Sequence, residues 1–227
     1  MEQAWQVAGD QGGRHYNADA AASYRTADGR LVFALADGIG DTPIAARAAR
    51  VAAAAAVRAA GGPRASIAAA RAAVLAEAGG DCVLVVAEAT GSGYRVAWVG
   101  DARAYAWNGV EVWQLTKDHT VGQYFADRGV AVAPRLSHVV TSSVRTLHEV
   151  GEVDTYQPGG LLLMTDGVYR GVGLPRIGAI LRGASEPAAA LVNAAVGVGR
   201  VGGVGGVDNA TALVVHGVGS HAMVDAA

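Results

Sequence analysis

The sequence predicts an α+β sandwich, with sheets inside and helices outside. Three observations carry that expectation. Short apolar β-type runs recur from residue 31 to residue 115. An Ala/Arg-rich helix pair sits early in the chain, and a further helix and strand close it. No internal repeat and no composition shift marks a second domain, so one domain is expected over 1–218, followed by a tail at 219–227.

The elements follow in order. Residues 31–36 (LVFALA) form a short apolar run ending in Asp37-Gly38, which reads as a buried strand. Thr42-Pro43 opens a long Ala/Arg segment to about residue 60, with Thr42 as N-cap and Pro43 in the first turn. Gly61-Gly62-Pro63 breaks it, and a second helix is expected over 64–78. Both helices are apolar nearly all round, as in a layer packed on a sheet. Residues 82–89 and 94–99 read as strands joined by the turn Thr90-Gly91-Ser92-Gly93. Residues 102–107 and 110–115 read as a hairpin, with Asn108-Gly109 favouring a type I′ turn. Thr120 with Gln123 spells a capping box for a helix over 121–128. Residues 161–165 form another buried strand before Asp166-Gly167. A helix is expected from Ser185-Glu186-Pro187 to about residue 196, then a Gly-rich connection over 197–206, then a last strand over 209–216.

Composition narrows the function classes. The chain has 227 residues, 52% hydrophobic and 17% charged, enough to bury a large core. Its net charge of −2 and the absence of a basic stripe argue against nucleic acid as a partner. Cys82 is the only cysteine, so an intramolecular disulfide is impossible and the residue reads as core. The amino terminus has no signal-peptide pattern, and the longest aliphatic run, 51–57, is too short to span a bilayer. A soluble, cytoplasmic protein without a membrane partner is the expectation.

Four aspartates stand where apolar runs meet turns: Asp37, Asp101, Asp166 and Asp208. Carboxylates converging at a sheet rim repel and raise one another's pKa. A hard divalent cation removes that penalty, and oxygen-only ligation suits Mg²⁺ or Mn²⁺ rather than zinc. One Asp-Gly step alone is more often a plain turn.

The order of motifs resembles the PP2C (PPM) family of metal-dependent phosphatases. Arg14-His15-Tyr16-Asn17-Ala18-Asp19, 32–40 (VFALADGIG), 99–105 (VGDARAY) with 114–120 (QLTKDHT), 162–167 (LLMTDG) and 208–214 (DNATALV) follow the family's sequence of motifs over residues 5–216. The resemblance implies a four-layer α-β-β-α sandwich of two antiparallel sheets flanked by helix pairs. It implies hydrolysis of phosphoserine and phosphothreonine in proteins by a metal-bridging hydroxide, without a covalent phosphoenzyme. Two core Mn²⁺ or Mg²⁺ ions are implied, with a third possible. Asp37 would bridge the core pair, Gly38 would offer its carbonyl, Asp166 and Asp208 would hold the other ion, and Asp118 would serve a third. Arg14 would clamp the phosphate, for which its fork of donors is suited. Phosphorylated proteins are the implied partners, with a cognate Ser/Thr kinase or its targets among them.

Several positions depart from the pattern. Ala18 stands where Glu or Gln usually supports the second metal, Asp41 replaces a common glycine, and Ile39 stands where some members carry a histidine acid. Ala18 keeps alive an alternative: a pseudophosphatase that binds phosphoproteins with little or no turnover. Asn209 reads as a turn former, and Asp101 as structural or functional with equal weight. Gly197-Val198-Gly199-Arg200-Val201-Gly202 spells G-x-G-x-x-G, but a helix precedes it where a dinucleotide site needs a strand. A flexible connector is the better reading.

Overall fold

The computed structural model describes residues 5–156, 159–202 and 208–217. The expected tail and residues 203–206 of the expected connector lie outside them.

Two five-stranded antiparallel sheets form the centre. The first takes β1 (Trp5–Asp10), β10 (Ala210–Val215), β9 (Gly160–Met164), β6 (Arg103–Trp107) and β7 (Val112–Gln114), in that spatial order. The second takes β2 (Asp19–Arg25), β3 (Leu31–Gly38), β4 (Cys82–Ala89), β5 (Tyr94–Val99) and β8 (Gly151–Thr155). Helices α1 (Pro43–Arg58) and α2 (Pro63–Ala76) cover the second sheet. Helices α6 (Leu174–Gly183) and α7 (Pro187–Gly202) cover the first, beside the short α5 (Asp166–Tyr169). Short helices α3 (Val121–Ala126) and α4 (Pro134–Ser137) lie in the stretch between β7 and β8.

Strand alternation builds the four layers. On β3, Val32, Ala34 and Ala36 pack under α1 and α2, whereas Phe33 and Leu35 face the other sheet. On β9, Leu162 and Met164 pack under the helices, whereas Leu161 and Leu163 meet Phe33 and Leu35 between the sheets. Three apolar cores therefore separate four layers, as the resemblance implied.

This alternation decides which polar residues can meet. Asp37 continues the inward parity of Phe33 and Leu35 at the end of β3. Asp19 opens β2 directly opposite it in the antiparallel register. Ala21 shares the parity of Asp19 and packs between the sheets, while Ala18, Ala20 and Ala22 pack toward the α1 side. A one-residue step thus separates the chemistry of position 19 from that of position 18.

Local details confirm some expectations and correct others. Thr42 caps α1, accepting from the Ala45 N–H at 3.2 Å. Thr120 caps α3 through the Gln123 N–H at 3.2 Å, but the Gln123 side chain donates to Asp127 instead of completing the box. The β6–β7 hairpin forms, yet not through a type I′ turn. Gly109 has φ +91° but Asn108 does not take a positive φ, and the Asn108 side chain instead accepts from the Val110 and Glu111 N–H groups. The Gly-rich stretch after residue 196 is not a connector as far as residue 202, because α7 runs through it. Glycine weakens a helix by about 1 kcal/mol per residue relative to alanine, but the buried Leu191, Val192, Ala195 and Val196 pin α7 to the sheet.

Candidate metal centre

The two sheets end together at one rim, and the acidic residues gather there. Asp37, Asp101, Asp166, Asp208, Arg14, Arg170 and Asp41 line one cleft of about 160 Å³. Strand ends supply most of them. Asp37 ends β3, Asp101 follows β5, Asp166 begins the helix after β9, and Asp208 precedes β10.

Asp19 and Asp37 form the most charged corner. Burial, then the neighbouring Asp19, Asp166, Asp101 and Asp208 carboxylates, hold Asp37 well above the usual carboxylate range. Burial lifts Asp19 to about 7, against hydrogen bonds from Thr211 and Thr165 that pull the other way. The Thr165 hydroxyl donates to Asp19 Oδ2 at 2.9 Å, while the buried Oδ1 has no partner. Two like charges opposite each other on paired strands destabilise a sheet. A cation bound between the two would relieve that repulsion.

The other carboxylates have arginine partners. Arg14 meets Asp208 at 2.7 Å, and Arg170 meets Asp166 at 2.8 Å and Asp101 at 3.4 Å. Burial raises Asp101 to about 6, with Asp166 and Asp118 adding to the effect. The Tyr169 hydroxyl donates to the Asp101 backbone oxygen at 3.0 Å, which fixes that loop. Asp118 stands apart. Its two oxygens take a bidentate pair from Arg103 at 2.8 and 2.7 Å, and Arg103 lies 3.7 Å over the Tyr169 ring. It lines a neighbouring groove that shares Asp101, His138 and Arg170 with the cleft.

The donor set fits divalent cations: oxygen atoms only, one of them a buried orphan, around an uncompensated carboxylate pair. Among the described residues, no three His, Cys, Asp or Glu side chains are yet drawn together as a ready ligand set.

Packing requires glycine at position 38. A Cβ there would lie 2.6 Å from the Ala45 carbonyl oxygen and 3.0 Å from the Ala18 Cβ. Ala18 is 2% exposed and packs with Ala45 and Ala46. Small residues at 18, 38, 45 and 46 let α1 sit close on the sheet. Asn209 is structural, as expected: it accepts from the Ala18 N–H at 2.8 Å and donates to the Gln11 and Tyr16 carbonyls. The sequence reading undervalued Asp19 and missed Arg170. The register of β2 against β3 would have found the first, and no motif signal marked the second.

No family model matches the chain, and no curated protein matches it in sequence. Solved structures do. The Mycobacterium tuberculosis serine/threonine phosphatase PstP/Ppp is 25% identical, with a TM-score of 0.74 over 93% of this chain and 97% of that one. The catalytic domain of PstP in complex with two manganese ions is also 25% identical, with a TM-score of 0.71 over 93% and 96%. PppA of Pseudomonas aeruginosa is 23% identical, with a TM-score of 0.76 over 95% and 98%. Over nearly its whole length, the chain has the α+β fold of the bacterial PPM (PP2C) serine/threonine phosphatases.

Proposed function

We propose that this chain hydrolyses phosphoserine and phosphothreonine in proteins, using divalent cations held at the rim of its two sheets. The observation that carries the reading is the Asp19–Asp37 pair, half-buried, facing across paired strands and without an arginine or lysine partner among the described residues, beside Arg14 and four further carboxylates. Asp37, the Gly38 carbonyl, Asp166 and Asp208 would hold a Mn²⁺ or Mg²⁺ pair, with Asp19 supporting it. A third ion at Asp118 would have to compete with Arg103 for both carboxylate oxygens. When bound, such cations supply a water activated for attack and neutralise charge on the phosphoryl group. The complex of PstP with two manganese ions supports this assignment.

The chain's own residues do the rest. Asp208 engages one nitrogen of Arg14, and a guanidinium has further donors for phosphate oxygens. No thiol competes as a nucleophile, since Cys82 is buried and burial pushes its pKa up. On the family resemblance, the attacking group would be water. The leaving serine or threonine oxygen must take a proton, and Ile39 has none to give. The His138 imidazole lines the same cleft and can supply one. Phosphoproteins are the fitting substrates, because the solved structures that share this fold are serine/threonine phosphatases.

Phosphate release from a phosphothreonine peptide, titrated with manganese, tests the reading. Turnover that EDTA abolishes is expected. Peptide binding without turnover at any manganese concentration would instead favour the pseudophosphatase.

A further inference from the structure

Asp41 carries a role that neither the metal site nor the sheet framework uses. It lies in the turn between β3 and α1, three residues beyond Gly38, and lines the same cleft as Arg14. Its carboxylate reaches the loop of residues 11–17. The His15 N–H donates to both oxygens at 3.0 Å, the Tyr16 N–H donates at 2.9 Å, and His15 Nδ1 lies 2.7 Å from Oδ2. A carboxylate only accepts, so Nδ1 carries the proton in that contact.

The partners on the other side of this loop belong to the first sheet. Asn209, just before β10, donates to the Gln11 and Tyr16 carbonyls. Gln11, which follows β1, donates to the Arg14 carbonyl at 2.7 Å and the His15 carbonyl at 3.2 Å. Asp41 adds a side-chain tie to the second sheet, beyond the backbone pairing with β3 that begins at Ala18 and Asp19.

We propose that Asp41 is a positioning residue for phosphate recognition, a strap that holds the Arg14 loop at a fixed span from Asp37 and the Gly38 carbonyl. The proposal rests on the phosphatase reading and adds to it. A glycine at position 41, which the family resemblance leads one to expect, has no side-chain acceptor and would leave the two backbone N–H groups to solvent. A free carboxylate so near a phosphate site would repel the substrate. Here both oxygens are taken by donors, which softens that repulsion.

The test compares the intact chain with Asp41→Gly and Asp41→Asn by steady-state kinetics on a phosphothreonine peptide, manganese calorimetry and amide hydrogen exchange. Asp41→Gly is expected to raise KM about tenfold, a cost typical of a displaced binding group, with kcat within about twofold. The His15 and Tyr16 amides should exchange faster, and the manganese isotherm should not move. Asp41→Asn should recover most of the KM, because its amide oxygen still accepts. An unchanged KM in Asp41→Gly overturns the proposal whatever the exchange shows. So does lost manganese binding, which would make Asp41 a metal ligand. If the wild-type chain shows no turnover, the phosphatase reading fails separately. The strap is then judged by exchange and by calorimetric binding of inorganic phosphate, and unchanged values in Asp41→Gly overturn it.

Discussion

The two halves of the acidic rim are built differently. On the β9/β10 side, Asp208 has Arg14 and Asp166 has Arg170, which also reaches Asp101 in the connection from β5 to β6. On the β2/β3 side, Asp19 and Asp37 face each other with only Thr165 and Thr211 hydroxyls to soften their charge. Asp208 has an arginine of its own and Asp166 shares one with Asp101, whereas among the described residues no arginine or lysine pairs with Asp19 or Asp37. On the proposed reading, a cation would bind first at Asp37, and Asp166 and Asp208 would exchange their arginine partners to join it.

The contrast is broken most sharply by neutralising one carboxylate on each side. Asp37→Asn and Asp208→Asn should each lower turnover by roughly 10²–10³-fold or more, as losing a charge that stabilises the reaction typically does. Their effects on the metal-free fold should have opposite signs. Asp37→Asn removes repulsion and should raise the melting temperature in EDTA. Asp208→Asn strips Arg14 of its partner and should lower stability by up to about 1 kcal/mol, since that pair is half exposed. Shifts of the same sign would erase the distinction between the halves.

Position 18 sharpens the comparison next. By the resemblance, a Glu at 18 should strengthen the second metal. The structure turns that side chain away, into the contact with Ala45 and Ala46. Ala18→Glu should therefore cost about 3 kcal/mol or more through overpacking and a buried charge. Thermal melts in EDTA and a manganese titration check both halves of the statement. An unshifted melt with a tightened titration would restore the metal role to position 18.

Arg14 belongs to both substrate and Asp208. Arg14→Ala should raise the phosphopeptide KM by about an order of magnitude, consistent with losing a charge-assisted hydrogen bond of roughly 1.5–3 kcal/mol. Arg14→Lys should recover only part, because an ammonium lacks the fork. Equal kinetics for all three proteins would remove Arg14 from the site.

The smallest effect is a pH slope. In the unfolded chain, aspartates titrate near ~3.9, whereas burial lifts Asp101 to about 6 and Asp19 to about 7 in the fold. Between about pH 4 and 7 the fold keeps protons that the unfolded chain has lost. Stability present at the acid end therefore falls as pH rises through this window. Asp19→Asn removes one contributor and should fall less steeply in EDTA. Buried His119, held below its ordinary value, acts in the opposite sense in both proteins and cancels in the difference. Parallel curves would contradict the burial of Asp19.

Much of this was legible in the sequence, for identifiable reasons. Strands β4 and β5 carry long apolar runs, so their bounds match the expectation. Strands β2 (DAAASYR) and β8 (GEVDT) escaped because alanine, glycine and acidic residues carry little β signal. Asp37, Asp166 and Asp208 stand out in the sequence because each adjoins an apolar strand. Asp19 was undervalued because it begins a strand that no pattern revealed. Arg170 was missed because it reaches Asp101 across 69 residues of sequence, a contact that only the folded chain creates.

The central claim is that Asp37 anchors the cations. Anomalous scattering from a manganese-soaked crystal tests it most directly, because it shows which aspartates bind. The account predicts manganese peaks on Asp37, one shared with Asp166 and Asp208 and one beside the Gly38 carbonyl on the Asp19 side. Manganese elsewhere with none at Asp37, or no manganese at the rim at saturating concentration, would contradict it.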